Sequence, residues 1–413
     1  MCPAGRAESA TGRLRVLGAP TRAGPLEEFT AEQVDRARRY HRPLYVAALA
    51  DLVVSLGTLG ALAFGSPGDR VNRALDGLPW WGRTLVFSAI VVAVPFAVRL
   101  PLSFWRGHVR EKAWGFSAQR LRGWAADRLK GFAVGAVLTA TAMVGFVGLA
   151  RVLPRAWPLA VAPAGAALVV ALSFVAPVLL EPLFNRFEPL ADPELSESLR
   201  TLSEKAGVPV RDVLVADASR RTKKENAYVS GLGRTRRVVV YDTLLTRGGA
   251  REVRLVVAHE LGHRRLRHVA RGTALAVAAM AVAVAVLWGL LRPHAVLGAT
   301  GAAGPGDPRV IPFVLFVATA LQVVGLPFES ALSRRWESAA DRFSLELTGD
   351  LAAFVASHRG LAVSNLLDLD PPRLAYVLAF SHPTPPERIA AARRWAAERG
   401  GGELTRPPHP TTA

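Results

Sequence analysis

Six mostly apolar stretches, at 44–65, 84–104, 131–150, 157–180, 271–291 and 310–328, constrain this chain more than any other feature. Crossing the hydrocarbon core takes about 20 such residues, and a segment surrounded by lipid must pair its own backbone amides, which makes it helical. The stretches at 131–150 and 157–180 carry no charge, and 271–291 carries only Arg271. Asp51 and Arg99 stand near enough to the ends of their stretches to reach the interface. The expected fold class is a polytopic α-helical membrane protein with about six transmembrane helices.

The remaining residues fix an orientation. Lys and Arg total 51 against 33 Asp and Glu, a net charge of +18, and the surplus is nearly all arginine. Basic residues cluster in alternate connections: the arm 1–42, the segment 105–130, the segment 181–270 and the region after 328. Cytoplasmic loops carry this bias, so both termini are expected in the cytoplasm. The arginine surplus is thereby read as topogenic charge at the lipid surface, with no nucleic-acid partner. Trp80 and Trp81 suit an interfacial belt on the outer side. Residues 1–42 lack the apolar run of a secretory signal. Cys2 is the single cysteine, which excludes an internal disulfide or a thiolate metal site.

The expected organisation is an N-terminal arm (1–42), partly disordered, then four spans (43–180) with an amphipathic cytoplasmic loop at 105–130. A catalytic insertion (181–270), two further spans (271–328), a C-terminal catalytic segment (329–399) and a disordered tail (400–413) follow. In the insertion, Asp212–Ala216 and Arg237–Tyr241 have the β-branched composition of strands, with a turn signal at residues 231–233. A helical run is expected from Ala250 to His268. The topology puts both soluble pieces on one face of the membrane, with a zincin-like α+β core.

That run contains His259-Glu260-Leu261-Gly262-His263. Residues four apart share a helix face, so His259 and His263 can present two imidazoles to one ion, while Glu260 is placed to take a proton from water. Nitrogen and oxygen donors without thiolate suit zinc. A catalytic zinc needs a third protein ligand. His268, five residues beyond His263, would face elsewhere on a continuous helix. Glu337 and Asp341, also four apart and two spans further on, return to the same side of the membrane. Glu337 is the candidate ligand, and Asp341 the candidate acceptor for the N–H of a ligand histidine.

Together these residues resemble the integral-membrane zinc endopeptidases of the CAAX prenyl protease type I family, with HtpX-like proteases as smaller relatives. The resemblance runs from about Phe29 to Ala391. It includes Glu181–Asn185, Asn226-Ala-Tyr228, Val238–Leu245, the HELGH run, Ser333–Glu337, Ser381–Pro383 and Glu387-Arg388. It implies one Zn2+ per chain on His259, His263 and Glu337, Glu260 as general base, and Asp341 behind the ligands. It places Asn226 and His382 in the cleft, on substrate backbone or the oxyanion. Strand Val238–Tyr241 is expected as an edge to which an extended substrate adds. Arg334 and Arg335 have three open readings: holding Asp341, binding a substrate carboxylate, or contacting lipid headgroups. The eukaryotic members have seven spans around a large chamber; the six counted here lack the first. The composition suggests a bacterial cell membrane, and the expected substrates are peptides or membrane proteins, with lipidated CAAX-type proteins among them. A scaffold without turnover would be expected to have lost Glu260. A transporter would be expected to show an internal repeat, and none is visible.

Overall fold

The computed structural model describes residues 26–399 apart from residues 180 and 232. Most of the expected N-terminal arm and the whole 400–413 tail lie outside the described residues. Among the described residues, six helices are long and apolar enough to cross a membrane. Four come first: α1 (Ala31–Phe64), α2 (Trp80–Phe104), α3 (Leu121–Val152) and α4 (Trp157–Leu179). After the soluble helices α5 (Pro193–Lys205) and α6 (Ala250–Arg265) come α7 (His268–Leu291) and α8 (Ile311–Thr348). The chain ends in α9 (Leu351–Ser364), α10 (Arg373–Ala379) and α11 (Pro385–Glu398).

The spans pack in the succession α1, α2, α3, α4, α7, α8 and back to α1. One end of this ring is filled by Phe87, Val91, Phe146, Trp157 and Ile311. Val46, Val53, Leu159 and Val324 remain exposed, as an apolar surface in contact with lipid should.

Several helices outrun the apolar stretches that mark them. α1 begins at Ala31, inside the expected arm, because Thr30 and Gln33 form a capping box. Phe29 and Ala37 pack with Leu369 and Ile389, so this part of the arm is docked on the C-terminal segment. In place of a loop at 105–130, α2 continues through a π-helical turn (Trp105–Val109) into Arg110–Ala113, and α3 starts at Leu121. α8 runs unbroken from the membrane into the catalytic segment, at Pro327 and beyond, which erases the expected boundary at 328.

The soluble sheet has the order β1-β2-β4-β3, from β1 (Phe187–Pro189), β2 (Asp212–Ala216), β3 (Ala227–Ser230) and β4 (Arg237–Tyr241). β4 pairs parallel with β2 and antiparallel with β3. The expected edge at Val238–Tyr241 is therefore wrong: β4 is internal, and β1 and β3 are the edges. The cause lies in the residues, since Val238, Val239 and Val240 are fully buried, as a strand covered on both faces requires. Part of the β3 edge is already occupied, because Arg264 donates to the Val229 carbonyl.

The helical run expected to reach His268 stops at Arg265. Arg267 adopts a left-handed φ of 57°, and His268 opens α7. This break turns the chain from α6 into the span α7.

Candidate metal centre

α6 buries Val257, Ala258 and Leu261 against the sheet and α5, and Leu255 against Leu345, Phe354 and Ala392, which leaves the face between them to the α8 crossing. Gly262 sets how closely α6 and α8 approach. A β-carbon there would stand 3.2 Å from Ala340 Cα and 3.1 Å from Phe343, tighter than ordinary contact. The small residues at the crossing bring the His259/His263 face of α6 over the Glu337/Asp341 face of α8.

Three donor atoms converge at this crossing. His259 Nε2 lies 3.1 Å from His263 Nε2 and 3.2 Å from Glu337 Oε2, and His263 Nε2 lies 3.2 Å from Glu337 Oε1. Tetrahedral ligands about 2.0 Å from a metal stand roughly 3.3 Å apart, and the two imidazole nitrogens, each 3.2 Å from a different oxygen of the one Glu337 carboxylate, have the spacing of groups that share an ion. Glu337 Oε2 is buried without a hydrogen-bond partner of good geometry, which is costly unless a cation takes it. Among the described residues these three form the candidate metal-binding group.

The layer behind them is charged and buried. Asp341 Oδ1 lies 2.9 Å from His259 Nδ1, and Arg388 on α11 holds both Asp341 oxygens, with Nε to Oδ2 at 2.8 Å. Arg388 is also 3.9 Å from Glu337. The Arg388 position is fixed by the start of α11, where Thr384 and Glu387 form a capping box and the Tyr376 hydroxyl donates to Glu387. His358 on α9 donates from Nδ1 to the Phe354 carbonyl. Burial and the nearby Arg388 push its imidazole down to about 3, so it is neutral at physiological pH.

The two carboxylates of Glu337 and Asp341, with Glu260, outnumber Arg388 by two charges. A divalent cation balances that excess. Without it, protons do part of the work: burial opposes the charging of His259, but hydrogen bonds to Asp341 and Glu337 outweigh it and raise the imidazole to about 9. Burial also raises the Glu260 carboxyl above its usual range, against the opposing pull of His259 and His263.

His268 lies closer to the centre than helical spacing predicts. The turn at Arg267 brings its Nδ1 to 3.0 Å from His263 Nδ1, on the ring edge opposite the convergence point, and its ring stacks on Trp336 at 5.1 Å. Only the left-handed residue makes this possible, and nothing in the spacing signals it. Arg388 and His358 are the other contributors that spacing leaves out. Each is a polar residue on a largely apolar helix face; Arg388 also stands in the Glu387-Arg388 motif, which carries the resemblance without assigning it a role.

His382 lies on the loop before α11, with Nε2 3.4 Å from Glu337 Oε2 and Nδ1 2.8 Å from Ser381 Oγ. Arg334 holds that loop by donating to the carbonyls of Tyr376 (3.0 Å) and Phe380 (2.7 Å). Asp341 is thus held by Arg388 and not by Arg334, while Arg335 is exposed. Asn226 precedes β3, its Oδ1 accepting from Ala227 N at 2.9 Å and its carbonyl from Tyr241 N. Glu181, which opens the short helix Glu181–Phe184 after α4, accepts from Ser230 and Arg237 and so ties the sheet to the region where the membrane helices end.

Residues 189–396 match the pattern of peptidase family M48. The chain belongs to that family. Residues 20–186 match the CAAX prenyl protease N-terminal region, described as five membrane helices, of which four candidate spans are found here. The chain is 29% identical over 314 residues to the uncharacterized metalloprotease YhfN of Bacillus subtilis, covering 76% of this chain and 74% of the relative. It is 26% identical over 327 residues to CAAX prenyl protease 1 of Saccharomyces cerevisiae, covering 75% and 72%. The crystal structure of Saccharomyces mikatae Ste24p shares the fold, with a TM-score of 0.79, 24% identity and coverage of 90% and 92%. This M48 member is therefore an integral-membrane metalloprotease.

Two outcomes test the centre. Gly262→Val should push α8 away, at a cost of about 1–3 kcal/mol for overpacking, and weaken zinc binding about tenfold or more in a competitive chelator titration. Because the cation must displace the His259 proton, zinc affinity should fall about tenfold per pH unit as pH drops below about 9. Calorimetry in buffers of different ionisation enthalpy should record proton release at pH 7.

Proposed function

We propose that this chain is a zinc endopeptidase that cleaves peptide segments of membrane-attached substrates at the cytoplasmic surface. In this reading His259, His263 and Glu337 hold one zinc ion. Bound zinc supplies a Lewis acid that polarises a carbonyl and makes water nucleophilic near pH 7. The observation that carries the reading is the convergence of two imidazole nitrogens, 3.1 Å apart, on the two oxygens of the Glu337 carboxylate, each at 3.2 Å, next to a carboxylate that burial makes more basic.

The residues divide the work as follows. Glu260 takes the proton of the attacking water and returns it to the leaving amine, which asks for a base of raised pKa. Asp341 accepts the His259 Nδ1–H and so fixes which ring nitrogen faces the ion, while Arg388 keeps Asp341 ionised. His382, on the open side of Glu337, donates to the oxyanion as it forms. Asn226, at the start of the edge strand β3, binds the substrate backbone. The substrate is taken as an extended peptide near the bilayer, because Glu337 lies on a helix continuous with a span. Lipidated C-terminal peptides are candidates, given the relatives named CAAX prenyl proteases.

Glu260→Gln should lower cleavage of casein and of a farnesylated CAAX peptide by about 10²- to 10⁴-fold while zinc content stays at wild-type level. Equal turnover by variant and wild type would overturn the mechanism. The substrate that wild type cuts chooses between general proteolysis and prenyl-peptide processing. Orientation is tested separately in a Cys2→Ser background. A cysteine at Asp76 should react with an impermeant maleimide in intact cells, whereas one at Lys205 should react only after lysis.

A further inference from the structure

A cavity of about 860 Å³ lies between α1, α2, α3 and α8, among the membrane spans and away from the metal centre. Its charged lining consists of Asp51, Arg99, Arg106, Glu111, Asp127 and Arg128. The carboxylates are already engaged. Asp51 is gripped by Arg99, whose Nε donates at 2.8 Å. Glu111 pairs with Lys224 at 3.0 Å and accepts from the Tyr40 hydroxyl. Asp127 pairs with Arg221 at 2.9 Å and accepts from Gln119 at 2.6 Å.

Two arginines are left over. Arg106 reaches Asp51 only at 4.0 Å, and Asp51 is the acid that Arg99 already holds. Arg128 lies over the Trp124 ring at 5.7 Å and has no carboxylate within ion-pair distance among the described residues. Lys224 and Arg221 neutralise two of the three lining carboxylates from outside the lining and Arg99 the third, so two guanidiniums of the lining are in excess.

The backbone is arranged to bring these two together. Arg106 and Gly107 occupy the π-helical turn Trp105–Val109, a conformation that is rare and concentrates at functional sites. A β-carbon on Gly107 would stand 3.3 Å from Arg128 Nη2 and 3.2 Å from Trp124 Nε1, so the glycine admits Arg128 beside Arg106. Further into the spans the wall becomes apolar, with Val91, Val92, Phe96, Phe132 and Leu315. A charged end and an apolar end in one cavity suit an amphiphilic anion.

We propose that this cavity binds an anionic phospholipid, with Arg106 and Arg128 taking the phosphate oxygens and the apolar wall taking acyl chain. Basic pockets between spans recognise lipid headgroups in this way, and the guanidinium fork suits phosphate. A lipid is favoured over a peptide carboxylate because the cavity lies between spans and its deep wall is apolar.

The test uses the full chain purified in detergent with equal amounts of phosphatidylglycerol and phosphatidylcholine, the bound lipid being counted by native mass spectrometry. Wild type should retain phosphatidylglycerol about tenfold over phosphatidylcholine. The R106Q/R128Q pair should bring that ratio close to one with zinc content and melting temperature unchanged, while K112Q/R122Q, at two exposed positions, should leave it as in wild type. If R106Q/R128Q fails to fold, R106K/R128K keeps the charge and should lower the ratio by losing the fork. Displacement of the lipid by millimolar inorganic phosphate would mean that the headgroup anion suffices, and resistance to it that the chains are also required; either supports the site. A wild-type ratio near one, a ratio unmoved by folded R106Q/R128Q, or displacement by a carboxylate-ended peptide more readily than by phosphate would overturn the proposal.

Discussion

The close crossing of α6 and α8 at Gly262 and Ala340 is the contact on which the functional part of this protein depends. Neither helix alone carries a metal site. α6 offers two imidazoles on one face, and α8 offers Glu337 backed by Asp341. Only a crossing without side-chain bulk brings the two imidazole nitrogens and the Glu337 carboxylate to within about 3.2 Å of one another. The sheet and α5 hold α6 from behind through a buried apolar face, while α11 delivers Arg388 from the other side.

Electrostatics then explains why so much charge is tolerated in a buried place. An isolated carboxylate pair out of water would be strongly disfavoured, whereas a guanidinium and two imidazoles compensate it here, and a divalent ion would engage Glu337 Oε2, which they leave without a hydrogen bond. Asp341 is the shared element, since the same carboxylate orients His259 and is held by Arg388. Loss of either partner would leave the other buried without compensation, so the layer behind the ligands is as constrained as the ligands themselves.

Much of this was legible in the residues, and the exceptions have physical causes. Apolar length marks each span because lipid demands it, and the i, i+4 pairs on α6 and α8 follow from helix geometry alone. Helix ends were less legible. The capping box at Thr30 is a local hydrogen-bond signal that hydropathy does not record, and the continuation of α8 past Pro327 depends on packing. β4 was misread as an edge although its three consecutive valines favour a strand covered on both faces. His268 escaped because one left-handed residue, Arg267, resets the direction of the chain. Arg388 and His358 come from helices remote in sequence, and only the fold sets them beside Asp341.

The continuity of α8 makes the bilayer part of the scaffold for the metal centre. From Ile311 to Glu337 the helix rises about 40 Å, so a change of tilt of only 3° at the far end displaces the Glu337 backbone by roughly 2 Å. Metal–ligand distances tolerate about 0.2 Å. The centre keeps its shape only if α6 travels with α8, and α6 is joined through a two-residue turn to the neighbouring span α7. Catalytic geometry is therefore suspended from two adjacent membrane rods. A change in bilayer thickness that splayed them would act on the ligand triangle as a lever acts on its short arm.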